Sequence, residues 1–456
     1  MLFERIESEG LSHYSYLVGS GAEAVVIDPR RDIDVYLDMA ERSGYHIRHI
    51  LETHRNEDYL VGSIELAGRT GAEIWHADSQ LPYQYGKGVE DGQEWHLGGD
   101  TLRAISTPGH TPGSMSYVLS DVHGAPLMVF TGDILFAGEV GRTDLPGEDR
   151  TLEMAGMLYD SIFEKLLPLG DGVIVCPAHG AGSACGSSIS DRPWTTIGTE
   201  RLSNPRLKLV GRDDFVQATG VNLEKPPYFK KMEELNLSGP PALSSLAEPK
   251  ALSPDMFAGL AKDSLVLDTR FDGFAAAHVP GSVFISLNGV SSFAGWFLST
   301  DEPILLVCDS YHLRTIITQL RRMGYDRIEG YLAGGILAWH KDGRDSESIK
   351  TVTIPELCGL LDTREDAWVL DVRSQAELDQ VGEIPGAHHL HVTQIDERRG
   401  EVPGDRPVYV VCGSGVRSMM GASLLQRAGW QNLTVVLGGF SAWKSVSCPL
   451  RQPGTS

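Results

Sequence analysis

No run of about 18 apolar residues occurs in the chain, so no segment is long enough to cross a bilayer as a helix. Positive charge is also scarce. Against 61 Asp and Glu stand 39 Lys and Arg, a net charge of −22. Such a balance repels the phosphates of nucleic acid and anionic lipid headgroups, so neither nucleic acid nor a membrane is expected as a partner. Cysteine is sparse, six in 456 residues. Their scattered spacing makes no disulfide framework, and thiols in a reducing cytoplasm are expected. The opening stretch MLFERIESEG has no basic region followed by an apolar core, so no secretory signal is expected. What is present is globular: 41% hydrophobic and 22% charged residues, over a length suited to about three domains.

The stretch NLSGPPALSSLAEPKALSP (236–254) is rich in Pro, Ser and Ala and reads as a linker. Beyond it the chain repeats itself. LVLDTR (265–270) returns as WVLDVR (368–373), HVPGS (278–282) as EIPGA (383–387), and AGGILAW (333–339) as GGFSAW (438–443). A strand ending at Cys308 returns as one ending at Cys412. The steady spacing means two copies of one domain of about 100 residues each. Trp339 and Trp443 fall at matched positions and read as core. Within each copy, short β-branched runs alternate with helical stretches, which predicts a parallel sheet covered by helices on both faces. Strand-to-helix turns then lie at the carboxyl ends of the strands, where open α/β folds place their sites.

In the second copy that turn is CGSGVRS, 412–418. Gly413 and Gly415 let the loop curl with its N–H groups inward. The following helix adds its positive end, and Arg417 adds a cationic wall. A thiol at Cys412 should therefore hold negative charge well. With VLDVR, IPGA and GGFSAW around it, this loop resembles the rhodanese family of sulfurtransferases. The resemblance implies that Cys412 accepts a sulfane sulfur and carries it as a persulfide. A buried structural cysteine is the competing reading. The first copy has CDSYHLRT (308–315) instead. Both glycines are gone, Leu313 stands where the arginine belongs, and Arg314 is one place late. This copy reads as a degenerate rhodanese that packs or docks, with an active Cys308 of altered specificity as the alternative.

The first 235 residues hold a second set of candidates. THRNEDY (53–59) follows the apolar strand IRHILE. His110 lies in TPGHTPGS, Asp133 ends the strand LMVFTGD, and His179 ends VIVCPAH. This combination resembles the metallo-β-lactamase superfamily, an αββα sandwich whose signature is T-H-x-H-x-D-H. Asn56 and Tyr59 stand where two of its histidines belong. Neither is a good zinc ligand near neutral pH, so both metals of the usual dinuclear hydrolase would lose an imidazole. His54, His110 and Asp133 survive as one set, the two-histidine, one-carboxylate triad of non-haem Fe(II) oxygenases. Asp58 and His179 read as hydrogen-bonding supports, or as holders of a weak second ion with Asp133.

GRTDLPG (141–147), HGAGSACG (179–186) and TERLSNPRL (199–207) further resemble the persulfide dioxygenase branch of that superfamily. The resemblance implies one Fe(II) per chain on His54, His110 and Asp133, with O2 as co-substrate and Arg142 bordering the thiol's binding site. Cys185 either carries sulfur near the iron pocket or is a small residue in a tight loop. Cys176 reads as a buried strand residue, and the acidic run at 144–149 as solvated surface.

The expected architecture is α/β throughout: a metallo-β-lactamase-like sandwich at 1–240, a degenerate rhodanese domain at 241–347 and an active one at 348–456. The expected activity is oxidation of a low-molecular-weight thiol persulfide, such as that of glutathione, to sulfite and thiol in sulfide metabolism, coupled to sulfur transfer involving thiosulfate or sulfite. A zinc thioester-type hydrolase and a non-enzymatic sulfur-carrier scaffold are the rival readings. A homo-oligomer is compatible with the sequence, which leaves oligomeric state open.

Overall fold

In the computed structural model, residues 1–456 are described except 184, 185, 187, 364–366, 444, 445 and 447–456. They form two compact units, one of residues 1–246 with 318–324, the other of 247–317 with 325–456. Among the described residues no helix is long and apolar enough to cross a membrane.

The first unit is built on two six-stranded sheets. Alternation along each strand decides which way each side chain faces. Tyr16, Val18, Val25, Ile27 and Leu51 of one sheet meet Tyr117, Leu119, Met128, Phe130 and Cys176 of the other. Their neighbours Leu17, Ala24, Val26 and Ile50 face outward and pack with Ile33, Tyr36, Ala40 and Leu66, which belong to or flank the helices Asp34–Ser43 and Ser63–Thr70. Val118, Val129 and Val175 do the same on the other side with Leu158, Ile162 and Phe215. The result is the expected αββα sandwich. Cys176 is 2% exposed in its central layer, and burial raises its thiol pKa far above the ordinary value.

The second unit holds two five-stranded sheets with the same strand order. Every neighbouring pair in both is parallel. In the first, Leu265–Asp268 lies between Val283–Phe284 and Ile304–Val307, and in the second Trp368–Asp371 lies between His388–His389 and Val408–Val411. The central strands Leu265–Asp268, Ile304–Val307 and Val408–Val411 are buried along their whole length, as strands covered on both faces must be. Trp339 and Trp443 are both in the apolar cores.

Two sequence expectations change. The segment 236–254 is not a free linker along its whole length. Residues 236–238 close the helix Phe229–Ser238, and Lys250–Leu252 is a strand paired with Ile328–Leu332. Cys358 is disulfide-bonded, so the expectation that the cysteines remain thiols fails there. Cys176, Cys308 and Cys412 are free.

Candidate metal centre and sulfur-transfer loop

Three loops at strand ends deliver the metal-type side chains. His54 follows the strand His46–Glu52, His110 lies between Asp100–Ser106 and Met115–Ser120, and Asp133 follows Pro126–Gly132. One ligand atom from each of the three lies within 4.8 Å of the others, and all three residues are buried. Gly132 explains the glycine of the TGD motif. Its φ is +52°, and a Cβ there would sit 2.5 Å from Thr53 Oγ1, beside His54.

Each ligand candidate is held from behind. Thr53 Oγ1 lies 2.9 Å from His54 Nδ1 and donates to Asp28 Oδ2 at 2.8 Å. His110 Nδ1 donates to the Arg142 carbonyl at 3.0 Å. Both rings are thereby turned to aim Nε2 at Asp133 Oδ2, 3.9 Å from His54 and 3.5 Å from His110. His54 Nε2 is buried without a hydrogen-bond partner. A buried nitrogen in that state is costly unless an ion satisfies it, and two imidazoles with a carboxylate are a donor set that divalent transition metals take.

His179 is turned elsewhere. Its Nδ1 is 2.8 Å from Asp133 Oδ1, and its Nε2 is 2.9 Å from Asp58 Oδ2. Burial opposes protonation of this ring, but the two carboxylates overcome it and raise the pKa well above the ordinary imidazole value. Tyr59 occupies the remaining place of the family's second-metal histidine. Its ring lies against His13 at 3.8 Å and its hydroxyl has no hydrogen-bond partner. Nitrogen and oxygen atoms that would serve a second ion are thus bonded to each other.

Several supports were not legible as such in the sequence. Asp78 joins the two histidine loops, accepting from Arg55 N at 2.9 Å, Thr111 Oγ1 at 2.8 Å and Gly113 N at 2.8 Å. Asn236 clamps the THRNEDY loop. Its Nδ2 donates to the carbonyls of Asn56 and Tyr59, each at 2.8 Å, and its Oδ1 accepts from Val61 N at 3.1 Å. Glu57 is fully buried beside the histidines, with Oε1 3.2 Å from His110 Nε2. Burial alone would raise its pKa, but His110 brings it down to about 2.

One expectation about this region needs correction. Asp144 is not solvated surface. It is buried and receives the Arg142 guanidinium in two bonds of 2.7 and 2.8 Å. Arg142 itself is 5% exposed and also donates to the Leu223 carbonyl at 3.1 Å. Its own carbonyl accepts from His110 Nδ1, so its backbone supports the site. Cys185 lies outside the described residues.

In the second unit, Cys412 is fully buried beneath its loop, and the N–H of Gly415 donates to its Sγ at 3.0 Å. The loop's carbonyls are turned away from the sulfur. Phe440 N–H donates to Cys412 O at 2.7 Å, and Ser441 N–H to Gly413 O at 2.8 Å. That contact needs glycine at 439, where φ is +47° and a Cβ would come within 2.2 Å of Cys412 O. Gly415, φ +110°, turns the chain into the helix Val416–Arg427. Arg417 is gripped by Glu377 at 2.5 and 2.6 Å. Glu377 comes from the capping box Ser374–Glu377, a pattern visible in SQAE though its pairing was not.

The first copy has lost this apparatus on both sides. Matched to Glu377 and Arg417 are Phe274 and Leu313, both apolar. Phe271, Phe274 and Phe284 form an aromatic cluster with centroids 5.3–5.9 Å apart. Burial, with Asp268 and Asp309 nearby, pushes the Cys308 thiol up to about 12. Such a thiol is a poor sulfur acceptor near neutral pH.

Comparison with known proteins agrees with this geometry. Residues 9–179 match the metallo-β-lactamase superfamily, and 253–342 and 353–446 each match the rhodanese-like domain. Over 205 residues the chain is 30% identical to hydroxyacylglutathione hydrolase GloC of Haemophilus influenzae, covering 40% of this chain and 87% of that protein. Over 221 residues it is 32% identical to the human mitochondrial persulfide dioxygenase ETHE1, covering 47% of this chain and 78% of that protein. Among solved structures, a metallo-β-lactamase from Staphylococcus aureus superposes with a TM-score of 0.65 at 28% identity, over 73% of this chain and 98% of that one. The chain belongs to the metallo-β-lactamase superfamily. It carries two rhodanese-like domains after the metallo-β-lactamase part, and its relatives include a hydrolase and a dioxygenase.

Proposed function

We propose that the chain is a non-haem iron persulfide dioxygenase joined to a sulfurtransferase. The observation that carries this reading is a centre suited to one metal: His54, His110 and Asp133 converge, while His179 and Asp58 are bonded to each other. The identity to human persulfide dioxygenase supports it. One persulfide, one O2 and one water would give the thiol, sulfite and two protons. Bound Fe(II) would supply a centre able to take O2 and the substrate sulfur together. The chain's own part is to hold the rings: Thr53 with Asp28 behind His54, the Arg142 carbonyl behind His110, and His179 behind Asp133.

At the second site, the Cys412 thiolate attacks the outer sulfur of thiosulfate. The S–S bond breaks, sulfite leaves, and a persulfide remains on Cys412 for a thiol acceptor. Gly415 N–H and Arg417 favour the anionic forms on either side of this step. The proposed partners are thiosulfate, sulfite and a low-molecular-weight persulfide. Glutathione is the favoured carrier thiol, after the glutathione thioester hydrolase among the relatives. The proposed setting is the cytoplasm.

That same relative favours one rival, a single-zinc thioester hydrolase. Metal analysis of the purified chain with O2 uptake on glutathione persulfide separates the two. Iron near one per chain and persulfide-dependent O2 uptake are expected. Zinc in its place, with thioester cleavage and no O2 uptake, would favour the hydrolase.

A further inference from the structure

From the arrangement around the two histidines, we infer that Glu57 is a fourth protein ligand of the metal, taking over from the neighbouring position the donor lost at Asn56. This rests on the proposed metal centre and adds to it. In the signature T-H-x-H-x-D-H, position 57 is one of the unassigned places. Here it carries a carboxylate that is fully buried, and a buried carboxylate needs a compensating cation.

The spacing around the two nitrogens fits a shared ion. The buried histidine–carboxylate hydrogen bond beside the centre, His179 Nδ1 to Asp133 Oδ1, closes to 2.8 Å. Around the centre such pairs stay apart. Glu57 Oε1 is 3.2 Å from His110 Nε2, and Oε2 is 3.9 Å from His54 Nε2. Asp133 Oδ2 is 3.5 and 3.9 Å from the same two nitrogens. Donors bound at about 2.0–2.2 Å to one ion stand roughly 3–3.5 Å from each other. His110 Nε2 therefore faces two carboxylates across gaps of the size that a shared metal sets, and His54 Nε2 faces the same two across gaps about half an ångström wider.

Two imidazoles and two carboxylates cancel the charge of a divalent ion. They leave two positions on a six-coordinate metal where the triad alone would leave three. A persulfide sulfur and O2 would be able to take them. Asn56 does not compete for the ion's place through its amide nitrogen, which donates to the His54 carbonyl at 3.3 Å.

The test uses Co(II) as a spectroscopic stand-in on the full chain stripped with a chelator. Wild type, Glu57→Gln, Glu57→Ala and His110→Ala are titrated anaerobically, followed by the visible spectrum and by the rise in Tm that the metal gives. Wild type should bind one Co(II). Both Glu57 variants should bind at least about tenfold more weakly, with altered d–d bands and a smaller metal-induced rise in Tm. The near-isosteric Gln variant keeps the comparison valid if the Ala variant folds poorly, and melting without metal checks both. Wild-type affinity and spectrum in the Glu57 variants, with loss in His110→Ala, would overturn the role of Glu57 and leave the triad standing. A wild type that takes up no Co(II) would overturn the metal centre with it.

Discussion

His179 Nε2 lies 2.9 Å from Asp58 Oδ2, and this contact occupies two atoms that a second metal would need. Restoring only Tyr59→His leaves the pair closed and should leave metal content near one ion per chain. Restoring both Asn56→His and Tyr59→His supplies imidazole donors able to compete for Asp58, and zinc content should rise toward two. Elemental analysis after growth with added zinc checks this. A double variant still holding one iron would mean that the missing histidines are not what limits the site.

Asp133 bridges the two halves of the centre, facing His54 and His110 on one side and His179 on the other. Asp133→Ala should remove bound metal and abolish persulfide-dependent O2 uptake, and His110→Ala should do the same. Sulfur transfer through Cys412 should continue in both variants. Undiminished O2 uptake in Asp133→Ala would refute the triad.

Asn236 satisfies three backbone groups of the THRNEDY loop and its continuation. Asn236→Ala leaves them buried without that partner, a cost of about 2–3 kcal/mol. The metal should bind roughly tenfold more weakly, because the loop that aims His54 loosens. Thermal melting with and without metal reads both effects. An unchanged metal affinity would make Asn236 a purely structural clamp.

Cys412→Ser should abolish sulfur transfer from thiosulfate to cyanide while leaving oxidation of a supplied glutathione persulfide nearly intact. Cys308→Ser should have little effect, since its thiol is pushed up to about 12. Mass spectrometry after thiosulfate treatment should find one added sulfur on the Cys412 peptide. Finding it chiefly on Cys308 would reverse the assignment.

Acid should weaken the second copy in two overlapping steps. Burial, then Arg417, holds His391 at about 4, below the ordinary 6.5. Between those values the unfolded chain binds a proton that the folded one does not, so stability falls as pH drops from 6.5 to 4. Burial opposes ionisation of Glu377, but its bonds from Arg417 and Ser374 bring it to about 2 from 4.5. Its contribution is present above 4.5 and is lost as pH falls toward 2. Hydrogen exchange of a peptide spanning 408–427 across this range reads both steps. His391→Asn should flatten the upper step and Glu377→Gln the lower. A slope unchanged by His391→Asn would assign the upper step to another group.

Much of this protein is written in local pattern. Apolar runs such as IRHILE and LMVFTGD specified strands, because such runs must be buried and are too short for core helices. The repeat of LVLDTR as WVLDVR specified two copies of one fold. His54, His110, Asp133 and Cys412 stood out because strand ends followed by small or polar residues are where such folds expose chemistry. Tertiary structure decided what depends on residues far apart in the chain. Asn236 looked like the start of a linker, yet it clamps a loop some 180 positions earlier. Asp144 looked exposed and is bonded to Arg142 inside the fold. Glu57 sat in plain view between Asn56 and Asp58. Whether its carboxylate faced solvent or the two histidines was decided by the backbone path of its loop, which distant hydrogen bonds hold in place.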